Sequence, residues 1–288
     1  MSRDGDGLEP DGGLALRAED FEQIRQLAHG AFGLDLKPGK EELVIARLRR
    51  LVRAGGFRSF QQYCRHIVAD RTGESLARMI DALATNHTAF MREAEHFNFL
   101  RAEVIPRLAV RPSVEVWCAA CSTGEEVWSL AMVLNEALPS HRISIAASDI
   151  SNKALAAAAA AEYPVERCEG LPGAWLSRYF VRENGHARSY RVAPKIRQQA
   201  SFRRINLVEP FSMGHGFPVI FCRNVMIYFD RQTQEQVVGR LAAWLEPGGY
   251  LFVGHAESLT RISHALEYVK PAVYRKPGKP EGQWTKSS

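Results

Sequence analysis

Two adjacent carboxylates, Glu125 and Glu126, follow a lone glycine, Gly124, inside the stretch VEVWCAACSTGEEVWS at Val114 to Ser129. The residues before them, Ala119 to Gly124, are small, so a ligand can lie against backbone there. A helix beginning at Glu125 would point its free N–H groups at that ligand. Carboxylates in this place repel a pyrophosphate, and the spacing is not G-x-G-x-x-G, so NAD or ATP fits poorly. A cationic ligand fits well. The same pair would also complement the helix dipole with no ligand at all.

Further polar residues stand where a ligand-binding sheet would place them. Asp149 ends the run Ile143 to Ser148, a position from which an acidic side chain reaches ribose hydroxyls. Helix capping is its competing role, weakened because Ser151 can cap the next helix. Cys222-Arg223-Asn224 closes the apolar run Pro218 to Phe221, and ligands of open α/β sheets bind outside such strand ends. Asn86, Thr88 and Arg92 form an unusual polar group just upstream of the first strand.

The cysteines and histidines promise less. Cys64, Cys118, Cys121, Cys168 and Cys222 are odd in number and scattered, which argues against a disulfide framework. Cys118 and Cys121 form a C-x-x-C without a second pair or paired histidines nearby, so strand-end packing is expected and no metal site. His96 falls among apolar helix positions and reads as a core histidine, and His87 also reads as structural.

The elements that position these groups follow from periodicity. Val114, Val116 and Trp117 open a buried strand, and Val127, Leu130, Ala131 and Leu134 then recur at helical spacing. Upstream, Asp20 is placed to cap a helix through Phe21, Ile24, Leu27 and Ala28, with Gly30 and Gly33 at its end. A second helix runs from about Pro38 to Ala54, with Val44, Ile45, Leu48, Leu51 and Val52 on one arc. Arg47, Arg49, Arg50 and Arg53 occupy the other, either as a solvated face or as a docking surface for an acidic partner. Ser59 to Ile67 and Thr72 to Ala84 read as helices, and Thr85 to Leu108 ends as an amphipathic one. Beyond Asp149, Asn152 to Glu162 is an alanine-rich helix. Tyr179 to Val181 and Tyr190 to Val192 flank a turn at Glu183-Asn184-Gly185, a hairpin signal. Phe202 leads to Asn206-Leu207, Thr233 to Leu245 is a helix, Tyr250 to Val253 a strand, and Tyr268 to Tyr274 a last strand.

This predicts a disordered tail at 1–18, a helical domain at 19–84, a linker and connecting helix at 85–110, an α/β domain at 111–276 with an inserted β-subdomain at about 165–200, and a flexible tail at 277–288. The net charge of +5 does not by itself indicate nucleic acid. No apolar run approaches the roughly 20 residues of a membrane span. The acidic, glycine-rich start is no signal peptide, so a cytoplasmic protein is expected.

The blocks TNHTAFMRE, AACSTGEE, SDIS, FRRINL, IFCRNVMIYFD and EPGGYLFVGHAESL together resemble the chemotaxis receptor methyltransferases, the CheR family of class I S-adenosylmethionine-dependent enzymes. Met91 stands where that family usually has phenylalanine, a volume-similar change. The resemblance implies a Rossmann-like methyltransferase domain carrying a small antiparallel insert, preceded by a helical domain. It implies S-adenosylmethionine as methyl donor, S-adenosylhomocysteine as product, and cofactor contacts at Asn86, Thr88, Arg92, Glu125, Asp149, Asn206, Leu207, Arg223 and Asn224. The substrate it implies is a glutamate on a receptor's cytoplasmic helical region, with a receptor C-terminal peptide as a further partner at the β-subdomain. Arg92 and Tyr228 are the candidates for the reacting end, and Tyr228 could equally be packing beside Phe229. Arg47, Arg50 and Arg53 are the candidates for receptor docking.

Two other classes compete. A methyltransferase acting on RNA or a small molecule would use the same cofactor site, but no stripe of aromatics interleaved with basic residues is present to stack bases. A non-catalytic module that senses the cofactor would need no reacting residues, whereas polar residues are intact in every block.

Overall fold

The computed structural model describes residues 14–84, 87–182 and 189–278, so the predicted N-terminal tail up to residue 13, Asn86, the Glu183-Asn184-Gly185 turn and most of the C-terminal tail lie outside the described residues. The chain divides into two compact units, 1–85 and 86–288.

The first unit is helical: α1 (Ala18–Phe32), α2 (Glu41–Ala54), α3 (Phe60–Ala69) and α4 (Glu74–Leu83). Each buries one apolar stripe, and Ile24, Val44, Leu48, Val52, Phe60 and Met79 are fully enclosed. Asp20 does not cap α1 from outside as expected. Arg17 holds the cap position and Asp20 sits a turn inside, where its carboxylate accepts from the Arg17 Nε and Nη2, both at 2.9 Å. α1 does end at Gly33, in the left-handed region at φ +68°.

Arg47 also departs from the expected outer face of α2. Its Nη1 donates to the carbonyls of Ala82, Leu83 and Ala84 at 3.4, 3.2 and 2.7 Å, and so closes the C-terminus of α4. Arg50 and Arg53 are exposed and, with Arg49, Ala46 and Ala54, line a shallow groove on α2.

The second unit begins with a bent helix. Its segments are α5 (Ala94–Phe99), a π-helical stretch at Leu100–Val104, and α6 (Ile105–Leu108). Pro106 cannot donate to a carbonyl one turn back, and the helix widens just before it. Phe97, Leu100, Val104, Ile105 and Leu108 join the core of this unit, so the helix expected as a connector is part of the core.

Next come β1 (Ser113–Cys118), α7 (Glu125–Ala137), β2 (Arg142–Asp149) and α8 (Asn152–Ala160). The insert follows: β3 (Glu162–Pro164), α9 (Val165–Cys168), α10 (Gly173–Tyr179), β4 (Phe180–Arg182), β5 (Ser189–Val192) and α11 (Pro194–Arg197). α8 ends earlier than expected, because Ala161 turns left-handed at φ +53° and starts β3. The chain then returns through β6 (Ala200–Arg204), β7 (Phe217–Phe221), α12 (Arg231–Trp244), β8 (Leu245–Phe252), β9 (Glu267–Lys270) and β10 (Val273–Arg275). The expected last strand at Tyr268 to Tyr274 is therefore two antiparallel strands, separated by a turn in which Ala272 has φ +63°.

The main sheet has the order β6-β2-β1-β7-β8-β10-β9, parallel from β6 to β8, with β10 antiparallel to both of its neighbours. Successive side chains alternate between two apolar cores. Val116, Cys118, Val219, Phe221 and Phe252 face one, while Trp117, Ile220, Cys222, Leu251 and Val253 face the other. The insert forms a separate antiparallel sheet, β3-β5-β4. Strand order reverses between β1 and β7, and a crevice for ligands is expected outside the C-terminal ends of those strands. No helix among the described residues is long and apolar enough to cross a membrane.

Candidate active site

The turn between β1 and α7 is held open by unusual backbone. Ser122 and Gly124 both have positive φ, +47° and +96°. A Cβ on Gly124 would lie 2.8 Å from the Ala158 Cβ and from the Tyr163 Oη, which explains the lone glycine of the motif. Tyr163 comes from β3 and donates its hydroxyl to the Thr123 carbonyl at 2.7 Å, so the insert braces the turn.

Asp149, at the end of β2, faces that turn. One carboxylate oxygen accepts the Ser122 N–H at 2.8 Å and the other the Ser151 N–H at 2.9 Å. It thus orders the start of α8, the competing role named from sequence, and also fixes the turn between β1 and α7. Ile205 N–H donates to the Asp149 carbonyl at 3.1 Å, which sets Asn206 and Leu207 beside it at the end of β6. Leu207 is buried and Asn206 half-buried.

The two adjacent glutamates diverge. Glu125 is fully buried; its carboxylate accepts the Thr123 hydroxyl at 2.7 Å and pairs with Arg167 of α9 at 2.5 Å. Burial pushes its pKa up despite both partners. Glu126 turns the other way, accepting the Cys118 thiol at 3.2 Å and pairing with Arg223 at 2.5 Å.

Arg223, at the end of β7, is the hub. Its side chain is 1% exposed and lies between Glu126 and Glu93, the latter at 2.9 Å, with the Phe97 and Phe221 rings each 5.9 Å away. Its Nη2 also donates to the Arg92 carbonyl at 2.7 Å. Burial opposes ionisation of Glu93, but the Arg223 hydrogen bond and charge, with the Asn224 amide and the His255 N–H, hold its pKa down at about 2. Arg223 therefore positions its neighbours through both terminal nitrogens, while its buried Nε has no hydrogen-bond partner.

The segment from His87 to Glu93 is set in place from several sides. The Ser129 hydroxyl on α7 accepts the Met91 N–H at 2.9 Å. Met91 and Glu93 are both left-handed, at φ +52° and +57°. The Arg92 guanidinium donates to the His87 carbonyl at 2.7 Å and stays partly exposed. Thr88 is half-buried in the same segment. Asn224, left-handed at φ +58°, donates its amide to Glu93 at 3.2 Å. Tyr228 is half-buried in the 3-10 turn Met226–Tyr228 that follows.

Hydrogen bonds and chain continuity thus join Arg92, Glu125, Asp149, Asn206, Arg223 and Asn224 around the C-terminal strand ends. Arg47, Arg50 and Arg53 belong to the first unit, and Asn86 lies outside the described residues. Sequence reasoning gave no role to Glu93, Arg167 or Glu257, and paired Glu126 with Glu125 as a carboxylate for a cationic ligand, whereas Glu126 turns to Arg223. Glu257 accepts four backbone N–H groups, from Asn224, Met226, Ile227 and Gly254, at 2.8, 2.7, 3.3 and 2.5 Å. Its only signal in the sequence is an acidic residue shortly after the β8 strand. The five cysteines are free and buried; Cys118 ends β1 and Cys222 follows β7, whereas Cys64 and Cys168 lie on α3 and α9.

The donor set fits S-adenosylmethionine. It offers carboxylates for an ammonium and for vicinal hydroxyls, a partly exposed guanidinium for a carboxylate, and small residues at the turn. Asp149→Asn should weaken S-adenosylhomocysteine binding, measured by calorimetry, by about ten- to a hundredfold, the worth of about 1.5–3 kcal/mol for hydrogen bonds to a charged group. A change below threefold would remove Asp149 from the ligand.

Comparison with known proteins agrees with this geometry. Residues 86–274 match the family model described as CheR methyltransferase, SAM binding domain, and residues 19–84 match CheR methyltransferase, all-alpha domain. Similar relatives include chemotaxis protein methyltransferase 2 of Pseudomonas aeruginosa, 40% identical over 89% of this chain and 92% of that relative. The chemotaxis protein methyltransferases of Salmonella typhimurium and Escherichia coli are 37% and 35% identical, each over 91% of this chain and 91% and 92% of their own lengths.

Proposed function

The chain belongs to the CheR methyltransferase family, and from that premise we propose that it methylates glutamate side chains on the cytoplasmic helical region of chemotaxis receptors. The observation that carries this reading is the Arg223 hub. It ties Glu126, next to the ligand turn, to the backbone of Arg92, the candidate for the reacting end.

Bound S-adenosylmethionine would supply an electrophilic methyl group. Glu125 and Asp149 would hold its ammonium and ribose, Arg92 its carboxylate, and Thr88, Asn206, Leu207 and Asn224 would border the same crevice. Since Glu125 already pairs with Arg167, the ligand's ammonium would share or replace that guanidinium. A substrate glutamate, with a reference pKa of about 4.3, is ionised near neutrality and needs no general base. What remains for the protein is alignment of a carboxylate oxygen with the methyl group, which can supply several kcal/mol. Arg92 and Tyr228 are assigned to that end of the site.

The test is methyl transfer from labelled S-adenosylmethionine to purified receptor fragments, with the modified residue mapped by mass spectrometry. The label should appear on glutamate, and Arg92→Ala should abolish turnover while keeping the wild-type unfolding transition. Near wild-type turnover in that variant would remove Arg92 from the site.

Arg50 and Arg53 suit an acidic receptor helix, whereas Arg47 acts inside its own unit as the α4 cap. Arg50→Glu with Arg53→Glu should raise the receptor KM about tenfold at low salt, less at high salt, and spare cofactor binding. An unchanged KM at both salt concentrations would contradict docking there. The exposed strand β4, with Val181 at the surface, is the place in the insert assigned to a receptor C-terminal peptide. This function places the protein in the cytoplasm.

A further inference from the structure

Glu93, His96 and His255 converge beside the Arg223 hub, and the methyl-transfer chemistry uses neither histidine. His96 lies three residues after Glu93 on the first turn of α5, and His255 follows directly after β8 and Gly254. The His96 Nδ1 is 3.5 Å from a Glu93 carboxylate oxygen, and the His255 Nε2 is 4.0 Å from the same oxygen. One ligand atom from each residue falls within 4.8 Å of the other two. Tetrahedral coordination at about 2.1 Å spaces ligand atoms about 3.4 Å apart, so small side-chain adjustments would close this set around an ion.

Two observations separate this cluster from an ordinary group of polar residues. The His96 ring is 1% exposed, yet neither of its nitrogens has a hydrogen-bond partner. A buried polar atom left in that state is costly, and such atoms call for a partner absent from the chain itself. The His255 ring meets the His96 ring edge-on at 4.6 Å and is half-exposed, which leaves a route from solvent. Glu93 supplies the negative charge of the set; it faces Arg223 at 2.9 Å through one oxygen and Arg92 at 4.0 Å through the other, while Lys270 lies over the Phe99 ring.

We propose that Glu93, His96 and His255 form a binding site for a divalent transition-metal ion of the zinc class, with a fourth position open to water. Two imidazoles and one carboxylate select zinc, cobalt or nickel over magnesium or calcium, which prefer all-oxygen ligation. The ion would share the Glu93 oxygen with Arg223 and so draw on the contact that steadies Arg92. Occupancy of the metal site would then be linked to the strand-end crevice. Binding of the ion itself does not depend on what that crevice transfers.

The test is titration of the chelator-treated full-length protein with Co2+, read by the visible ligand-field band of tetrahedral cobalt. One equivalent should bind with that band. His255→Ala, a change at a half-exposed side chain, should abolish the band and weaken binding at least tenfold. His215→Ala, at a surface histidine remote in sequence, should leave both unchanged. Saturating Zn2+ should raise the melting temperature of the wild type and not that of His255→Ala. Equal Co2+ affinity in wild type and His255→Ala, or a wild-type spectrum without the tetrahedral band, would overturn the proposal.

Discussion

Glu257→Ala should lower the stability of the second unit by about 3–5 kcal/mol. The wild-type carboxylate is 5% exposed and accepts four backbone N–H groups, those of Asn224, Met226, Ile227 and Gly254. Each buried donor left without an acceptor costs about 1–3 kcal/mol, and partial entry of water keeps the total below the sum. Glutamine is a poor substitute, because its NH2 group would point a donor at two N–H groups that need an acceptor. Burial pushes the Glu257 pKa up, and the four N–H groups work against that rise. Since folded domains hold only about 5–15 kcal/mol in reserve, the loss should be plain in urea unfolding. The same carboxylate holds Asn224 in its left-handed conformation, so cofactor affinity should fall with stability. A loss under 1 kcal/mol would show that the loop after β7 is organised by something else.

Gly124→Ala should be of similar size for a different reason. At φ +96° an L-residue is strained by about 1–2 kcal/mol. Its Cβ would also stand 2.9 Å from the Ala158 Cα, an atom of the α8 backbone that cannot swing aside. Overpacking of this kind adds about 1–3 kcal/mol. The expected total, about 2–5 kcal/mol, should shift thermal unfolding by roughly 5–15 °C in a unit of this size. The variant should also lose cofactor binding, since Tyr163 and Asp149 both grip this turn. A variant with wild-type melting would mean that α8 moves away freely.

These two positions differ in how legible they are from sequence. Gly124 announces itself, because a strand pattern ends, small residues follow, and a helical pattern begins, all within one short stretch. Asp149 and the Cys222-Arg223-Asn224 strand end are equally local. Glu257 acts on residues about 30 positions away, and Arg223 contacts Arg92 across 131 positions and Glu93 across 130. No local pattern encodes such pairings. Arg47 shows the same limit on a helix wheel. The wheel sets its Cα on the polar arc, but its long side chain reaches carbonyls 35 to 37 residues on.

Two of the elements misread by sequence share one cause. At Ala161 and Ala272 the chain turns left-handed on an alanine, a residue that carries no turn signal. The helical pattern of α8 therefore runs on through Glu162, and β9 and β10 read as one strand. The centre of the sheet is legible because a strand such as β7 is buried on both faces and reads as an apolar run, whereas the edge strands β6 and β9 are largely exposed. His96 reads as a core residue and is buried. Its two unsatisfied nitrogens could not be read from spacing, because a periodic pattern places a ring without showing what surrounds it.

The most direct measurement of the central claim is the alkali lability of the transferred label. Receptor fragments methylated with tritiated S-adenosylmethionine should release volatile labelled methanol in mild base, as a carboxyl ester does. Label that survives alkali on the protein, as a methyl group on nitrogen would, contradicts carboxylate methylation by this site.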